Sequence, residues 1–145
     1  MVEEFVYLCS LVHSTTQCTQ DINRHSAITL AAMQSLDKQV WRSRLLTTTK
    51  LRLYNTCILP IFLYGSEFWA VCKTDVRKIE ALDQWCLRML LGIKWYHFVR
   101  NDDVPRQTKQ PELTVIIHAR RLTVFGHIVR TDENMDAKKI LLASL

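Results

Sequence analysis

The chain has 145 residues, 48% of them hydrophobic and 23% charged, with a formal net charge of +5. That is enough for one domain burying roughly two-thirds of its unfolded surface. No stretch reaches the about 20 apolar residues that span a bilayer, since the longest run, Cys57 to Tyr64, is interrupted by Pro60. Glu3 and Glu4 stand where a secretory leader would be basic, so a location inside the cell is expected. Five cysteines, at 9, 18, 57, 72 and 86, are odd in number and scattered. They read as buried thiols, with Cys57, Cys72 and Cys86 inside apolar helical patterns, and not as a disulfide framework.

In chain order, residues Phe5 to Val12 are apolar on both alternating sets, which predicts a strand covered on both faces. Ser14-Thr15-Thr16-Gln17 supplies no glycine for a tight turn after it. A helix is expected from an Asp21 N-cap to about Leu46, with Ile22, Thr29, Met33, Leu36 and Val40 on its apolar face. The β-branched run Thr47-Thr48-Thr49 marks a boundary, and a second helix follows. Pro60 predicts a kink between Thr56 and Pro60, and Gly65 a second weak point.

A third helix should start at an Asp75 N-cap and bury Val76, Ile79, Leu82, Cys86, Met89, Leu90 and Ile93, with Gly92 near its end. The stretch from Lys94 to Gln110 is polar, and a short helical turn is expected after an Asn101 N-cap. Pro111 opens a helix over Glu112 to Arg130 with Leu113, Ile116, Ile117, Val124 and Ile128 apolar. A last short helix is expected from Asp136 to Leu145. The organisation is thus mainly α, with residues 1–20 forming a β segment, 21–130 a helical domain and 131–145 a short helix or tail.

Several blocks carry a resemblance. Leu53-Tyr54-Asn55-Thr56-Cys57-Ile58-Leu59-Pro60, running on to Leu63-Tyr64-Gly65-Ser66-Glu67-Phe68-Trp69, resembles L-Y-x-x-x-L-P-x-L-L-Y-G-x-E-x-W of the reverse transcriptases of LINE-type (non-LTR) retrotransposons. Phe5-Val6-Tyr7-Leu8-Cys9-Ser10 resembles the family's F-x-Y-L-G-S hairpin, and Asp21-Ile22 with Arg24 its E-I-x-x-R-I helix entry. The segment from Trp85 to Trp95 is similar to C-L-R-x-I-L-G-I-x-W, and that from Arg121 to Arg130 to R-L-x-x-F-G-H-V-x-R. The matches arrive in the family's order and cover most of the chain. They imply the end of the palm plus the thumb: a thumb-like helical bundle with a β remnant, without fingers, palm or metal-binding aspartates, unable to polymerise alone. Two departures stand out, Cys9 for the glycine of Y-L-G and Lys109 where relatives often carry glycine.

Between Lys38 and Ser66 the chain has Lys38, Arg42, Arg44, Lys50 and Arg52 and no acid. Between Arg88 and Arg121, seven basic residues face Asp102, Asp103 and Glu112. Charge pattern alone favours ordinary solvated helix faces. The resemblance reverses that preference, because it implies helices laid against a primer–template duplex, whose phosphates basic side chains bind without reading sequence. Lys38, Arg42, Arg44, Lys50 and Arg52 are the leading phosphate contacts, with Lys94, Arg100, Arg120 and Arg121 beyond them. Most aromatics, Trp41, Tyr54, Trp69 and Trp85 among them, are assigned to the core. Trp95-Tyr96-His97-Phe98, after a helix end between Lys94 and Arg100, is either a stacking site for bases or a packed loop.

Enzyme readings fail on context. Asp102-Asp103 follows Arg100-Asn101 in a polar stretch, unlike the buried hairpin aspartates that hold two metals, and fits helix capping. Cys9, His13, Cys18 and His25 lack the paired spacing of zinc sites. No G-x-S-x-G occurs, and His118 and His127 read as helix-surface or core residues. The expected function is a reverse-transcriptase fragment, with no cofactor of its own, that binds an RNA–DNA hybrid beside the parent's palm and fingers, in the nucleus if it follows its parent. The alternative is a non-catalytic helical interaction module or a functionless transposon relic.

Overall fold

A computed structural model describes residues 4–7, 10–13 and 19–130. The helix expected at Asp136–Leu145, the Cys9 position and the turn at Ser14–Gln17 lie outside them. Strands β1 (Glu4–Tyr7) and β2 (Ser10–His13) pair antiparallel, with Glu4 opposite His13 and Tyr7 opposite Ser10. Of the two forms expected here, a single strand over Phe5 to Val12 from its alternation and a hairpin from the resemblance, the paired strands have the second.

Helix α1 spans Thr19–Ser35 and buries Ile22, His25, Thr29 and Met33, which recur at helical spacing. It stops well short of Leu46. A π-helical turn follows at Asp37–Trp41, where Trp41 N–H and Arg42 N–H reach back five residues to the carbonyls of Leu36 and Asp37 at 3.3 and 2.9 Å. Trp41 is buried and donates its indole N–H to the Met33 carbonyl at 2.8 Å. Asp21, expected as an N-cap, instead lies inside the first turn, where its Oδ2 accepts the Trp69 indole N–H at 2.8 Å.

Helix α2 (Thr47–Leu53) begins at the expected threonine boundary. The expected kink is present as a second π-helical turn, Tyr54–Ile58, before α3 (Leu59–Leu63). Pro60 has no N–H for the Thr56 carbonyl, so a regular bond is missing where the turn widens. Gly65 is the second break: Tyr64 is extended, Gly65 takes φ +72°, and a 3-10 turn (Ser66–Phe68) leads to buried Trp69. Within the widened turn Tyr54 and Ile58 face the core, and Cys57 is exposed, contrary to expectation.

Helix α4 (Lys73–Leu91) is amphipathic as read, with Ile79, Leu82, Cys86, Leu87 and Leu90 buried. Its N-cap is Cys72 and not Asp75. Asp75 lies three residues in and accepts from the Cys72 N–H at 3.2 Å and its Sγ–H at 3.0 Å, so the cap works in reverse and leaves Cys72 exposed. Burial pushes the Asp75 carboxyl up, but the Cys72 and Thr19 hydrogen bonds outweigh it and hold the group below the ordinary value. Gly92, at φ +71°, ends the helix, and the N–H groups of Gly92 and Ile93 close on the carbonyls of Met89 and Arg88.

A short α5 (Asp103–Thr108) and the long α6 (Leu113–Arg130) complete the bundle. Asn101 does not cap α5: its side-chain oxygen accepts from Arg88 Nη2 at 2.8 Å. Helix α1 packs on α3 and α4, and α4 also carries α2, α5 and α6. The common core includes Trp41, Tyr54, Ile58, Phe62, Leu63, Ile79, Leu87, Leu90 and Ile117.

Asp83 of α4 is the polar centre of that core. Its Oδ1 lies 3.5 Å from the Tyr54 hydroxyl, and the carboxylate also accepts the N–H of Leu113, an otherwise unpaired donor at the start of α6. Burial pushes the Asp83 carboxyl up to about 6 against these two bonds, and Glu112 adds to the rise. Burial raises Tyr54 as well, which keeps its hydroxyl protonated and donating, and pushes the Cys86 thiol up to about 12.

Two outcomes follow. Because the folded Asp83 holds its proton better than the unfolded chain does, its contribution to stability is complete below about pH 4 and is lost as pH rises through about 6. Urea unfolding should therefore show the wild type losing on the order of 2 kcal/mol relative to Asp83→Asn between pH 4 and pH 7; parallel pH curves would refute this. Lys109 holds φ +53°, the left-handed region that glycine occupies without strain. Lys109→Gly should raise unfolding free energy by about 0.5–1 kcal/mol, the strain relieved less the added freedom of the unfolded chain, and a variant no more stable than wild type would contradict this.

Candidate nucleic-acid interface

The basic residues between Lys38 and Arg52 fall on the connection from α1 to α2. Lys38 lies in the first π-helical turn and Arg42 caps its end, Arg44 lies in the following loop, and Lys50 and Arg52 lie on α2. The two ends of this group are joined by Lys50, whose Nζ donates to the Trp41 carbonyl at 2.7 Å. Lys50 thus closes the end of the first π-helical turn.

Exposure sorts the candidates. Lys38, Arg44 and Arg52 are exposed, and their side chains make no hydrogen bond or ion pair among the described residues. Arg42 pairs with Asp37 at 2.8 Å, but its side chain is 73% exposed, so the pair is weak and open to exchange. Arg120 is exposed too, but its Nη1 donates to the Leu63 carbonyl at 3.3 Å. Arg121, its neighbour, is exposed on α6. Lys94 and Arg100 are exposed on the loop between α4 and α5, apart in sequence from the first group.

That loop carries the aromatic cluster. Trp95 is 94% exposed, Phe98 fully exposed and Tyr96 half exposed, so the packed-loop reading does not hold. The other aromatics divide as expected, with Trp41, Tyr54 and Trp69 buried, except that Trp85 is 38% exposed. Trp69 stacks edge-on against His25 and Phe62, both at 5.5 Å between ring centres.

Asp102 and Asp103 stand at the start of α5, with Asp103 3.8 Å from Arg106, and no group of three or more His, Cys, Asp or Glu side chains suited to a metal occurs among the described residues. His118 and His127 are exposed on α6, whereas His25 is buried with Nδ1 3.1 Å from the Phe62 carbonyl. That carbonyl can only accept, so Nδ1 carries the proton.

One surface was missed in the sequence. Val115, Leu122, Phe125 and Val129 are exposed on one side of α6, and Leu122 and Phe125 line a groove with exposed Phe68. The signal was available: these positions repeat at helical spacing on the side of α6 opposite Leu113, Ile117 and Val124. No helix among the described residues is long and apolar enough to cross a membrane.

No protein-family model and no solved structure matches the chain. Curated proteins do. A probable RNA-directed DNA polymerase from transposon X-element of Drosophila melanogaster is 32% identical over 69 residues, 47% of this chain. The RNA-directed DNA polymerase from mobile element jockey, of the same fly, is 30% identical over 73 residues, 50% of this chain. The matches span 7% and 8% of those relatives' lengths. Over about half of its length, the chain is thus similar to a short part of RNA-directed DNA polymerases from LINE-type mobile elements.

Proposed function

We propose that the chain is a non-catalytic, thumb-like helical module of a retroelement reverse transcriptase that grips a primer–template hybrid by its backbone. The observation that carries this is the segment from the end of α1 through α2, where Lys38, Arg44 and Arg52 are exposed within a stretch from Lys38 to Ser66 that has no acid. A duplex presents a charge about every 1.7 Å of its axis, so such a surface gains affinity by releasing counterions and needs no base contact. Arg42 joins the surface when its exposed pair with Asp37 opens. Lys50 and Arg120 are left out, because each holds a backbone carbonyl of the fold.

Binding of a blunt RNA–DNA hybrid, measured at two salt concentrations, tests the reading. Affinity should fall steeply as salt rises. The triple variant Lys38→Glu, Arg44→Glu, Arg52→Glu should lose more than tenfold at low salt and flatten the salt slope by about two to three. Absence of hybrid binding at low salt, or affinity indifferent to salt, would remove the proposal.

The exposed side of α6 favours a second reading, a helical protein-interaction module. Phe68 is 76% and Leu122 69% exposed, and with Phe125 they line one groove, with exposed Val115 and Val129 on the same side of α6, apolar exposure of the kind that binds another protein. Sedimentation should show self-association as concentration rises, abolished in Leu122→Glu with Phe125→Glu at an unchanged melting temperature. A wild type that stays monomeric would count against this reading.

A further inference from the structure

The loop after α4 has a built form that the duplex-gripping role does not use. His97 N–H donates to the Lys94 carbonyl at 2.9 Å, and Lys94 N–H returns to His97 Nδ1 at 3.0 Å. Its far end is tied back to α4: Arg88 Nη2 donates at 2.8 Å both to the Val99 carbonyl and to Asn101 Oδ1, and Gln84 Nε2 to the Asn101 carbonyl at 3.0 Å. Within this frame the rings stand edge to face, Trp95 and Tyr96 at 5.6 Å and Tyr96 and His97 at 4.8 Å between centres. Lys94 Nζ lies 6.0 Å from the Tyr96 ring centre, and Arg100 follows Phe98 by two residues. The nearest acids in sequence are Asp102 and Asp103, the latter facing Arg106.

We propose that residues 94–100 form a stacking platform for the unpaired bases of single-stranded nucleic acid. The proposal rests on the nucleic-acid reading above and assigns a different part of the strand to a different part of the surface. Exposure as complete as that of Trp95 and Phe98 leaves ring faces open, and every base offers a matching face once it is unpaired. Bases inside a duplex are already stacked on one another, so the ligand is a single strand. Lys94 and Arg100 on either side of the rings supply the positive charge that its phosphates require. An acidic or neutral rim would suit a peptide or a lipid tail better than these cations do.

The chain has four tryptophans, of which Trp41 and Trp69 are buried and Trp85 is 38% exposed, so quenching of Trp95 reports on the loop. A thymidine oligonucleotide of about 12 nucleotides should quench tryptophan emission, and Trp95→Ala should remove most of that quench. The double variant Trp95→Ala, Phe98→Ala should bind the oligonucleotide at least about tenfold more weakly, with its melting temperature and its affinity for blunt RNA–DNA hybrid unchanged. Equal oligonucleotide affinity in the double variant and the wild type overturns the platform while leaving hybrid binding untouched. Loss of hybrid affinity in the Lys38, Arg44 and Arg52 triple variant reports on the duplex surface alone. If vesicles containing phosphatidylserine quench Trp95 and the oligonucleotide does not, the platform is overturned in favour of a lipid surface.

Discussion

A buried helix end has carbonyls that the helix itself cannot satisfy, and α3 ends in the middle of the core. Phe62 and Leu63 are almost fully buried, and beyond them Tyr64 is extended and Gly65 left-handed. No next turn exists to supply N–H donors, so the donors come from other helices: His25 Nδ1 from α1 to Phe62 and Arg120 Nη1 from α6 to Leu63. Leaving one such acceptor unpaired would cost about 1–3 kcal/mol. The need to satisfy this one terminus therefore fixes where α1 and α6 sit relative to α3.

The same segment is tied at its other points. Tyr54 reaches Asp83 of α4, which in turn holds the first N–H of α6, and Trp69 reaches Asp21 of α1. Each tie joins a polar atom of the segment from Leu53 to Trp69 to a different helix. The segment's tyrosine, proline, glycine and tryptophan are each set by geometry: a buried hydroxyl, a missing N–H, a positive φ and a buried indole. Tyr54 and Trp69 are buried, whereas Pro60 and Tyr64 reach the surface.

Helix existence and the apolar face of α4 were legible because both depend on local periodicity, as was the kink at Pro60. The caps were not. Asp21 and Asp75 have the right chemistry for an N-cap, but each is drawn to a tertiary or reciprocal partner, Trp69 and Cys72, that spacing does not reveal. The end of α1 was misplaced for a related reason, since the π-helical turn at Asp37–Trp41 serves the bond from Trp41 to the Met33 carbonyl across eight residues. Among the cations, the bond of Arg120 was readable in retrospect: it sits three residues after Ile117 and four before Val124, on the same side of α6, although the residue itself stays exposed. Lys50 was not, because its partner is a carbonyl exposed only by the end of that turn.

This division bears on function. A charge that satisfies a buried carbonyl cannot be released to a phosphate without loss of stability, so counting arginines and lysines overstates an interface that the fold has already drawn upon. The aromatics follow the opposite logic. Full burial of a large apolar side chain is worth about 1.5–3 kcal/mol, and the chain gains it at Trp41, Tyr54, Phe62 and Trp69. It forgoes that gain at Trp95 and Phe98, in a loop whose shape is held from α4 by Arg88 and Gln84. Slack cannot account for exposure maintained by hydrogen bonds at both ends of a loop. The bonds from Arg88 and Gln84 hold the loop that carries these rings, while Trp41 and Trp69 are held inside by their indole N–H groups.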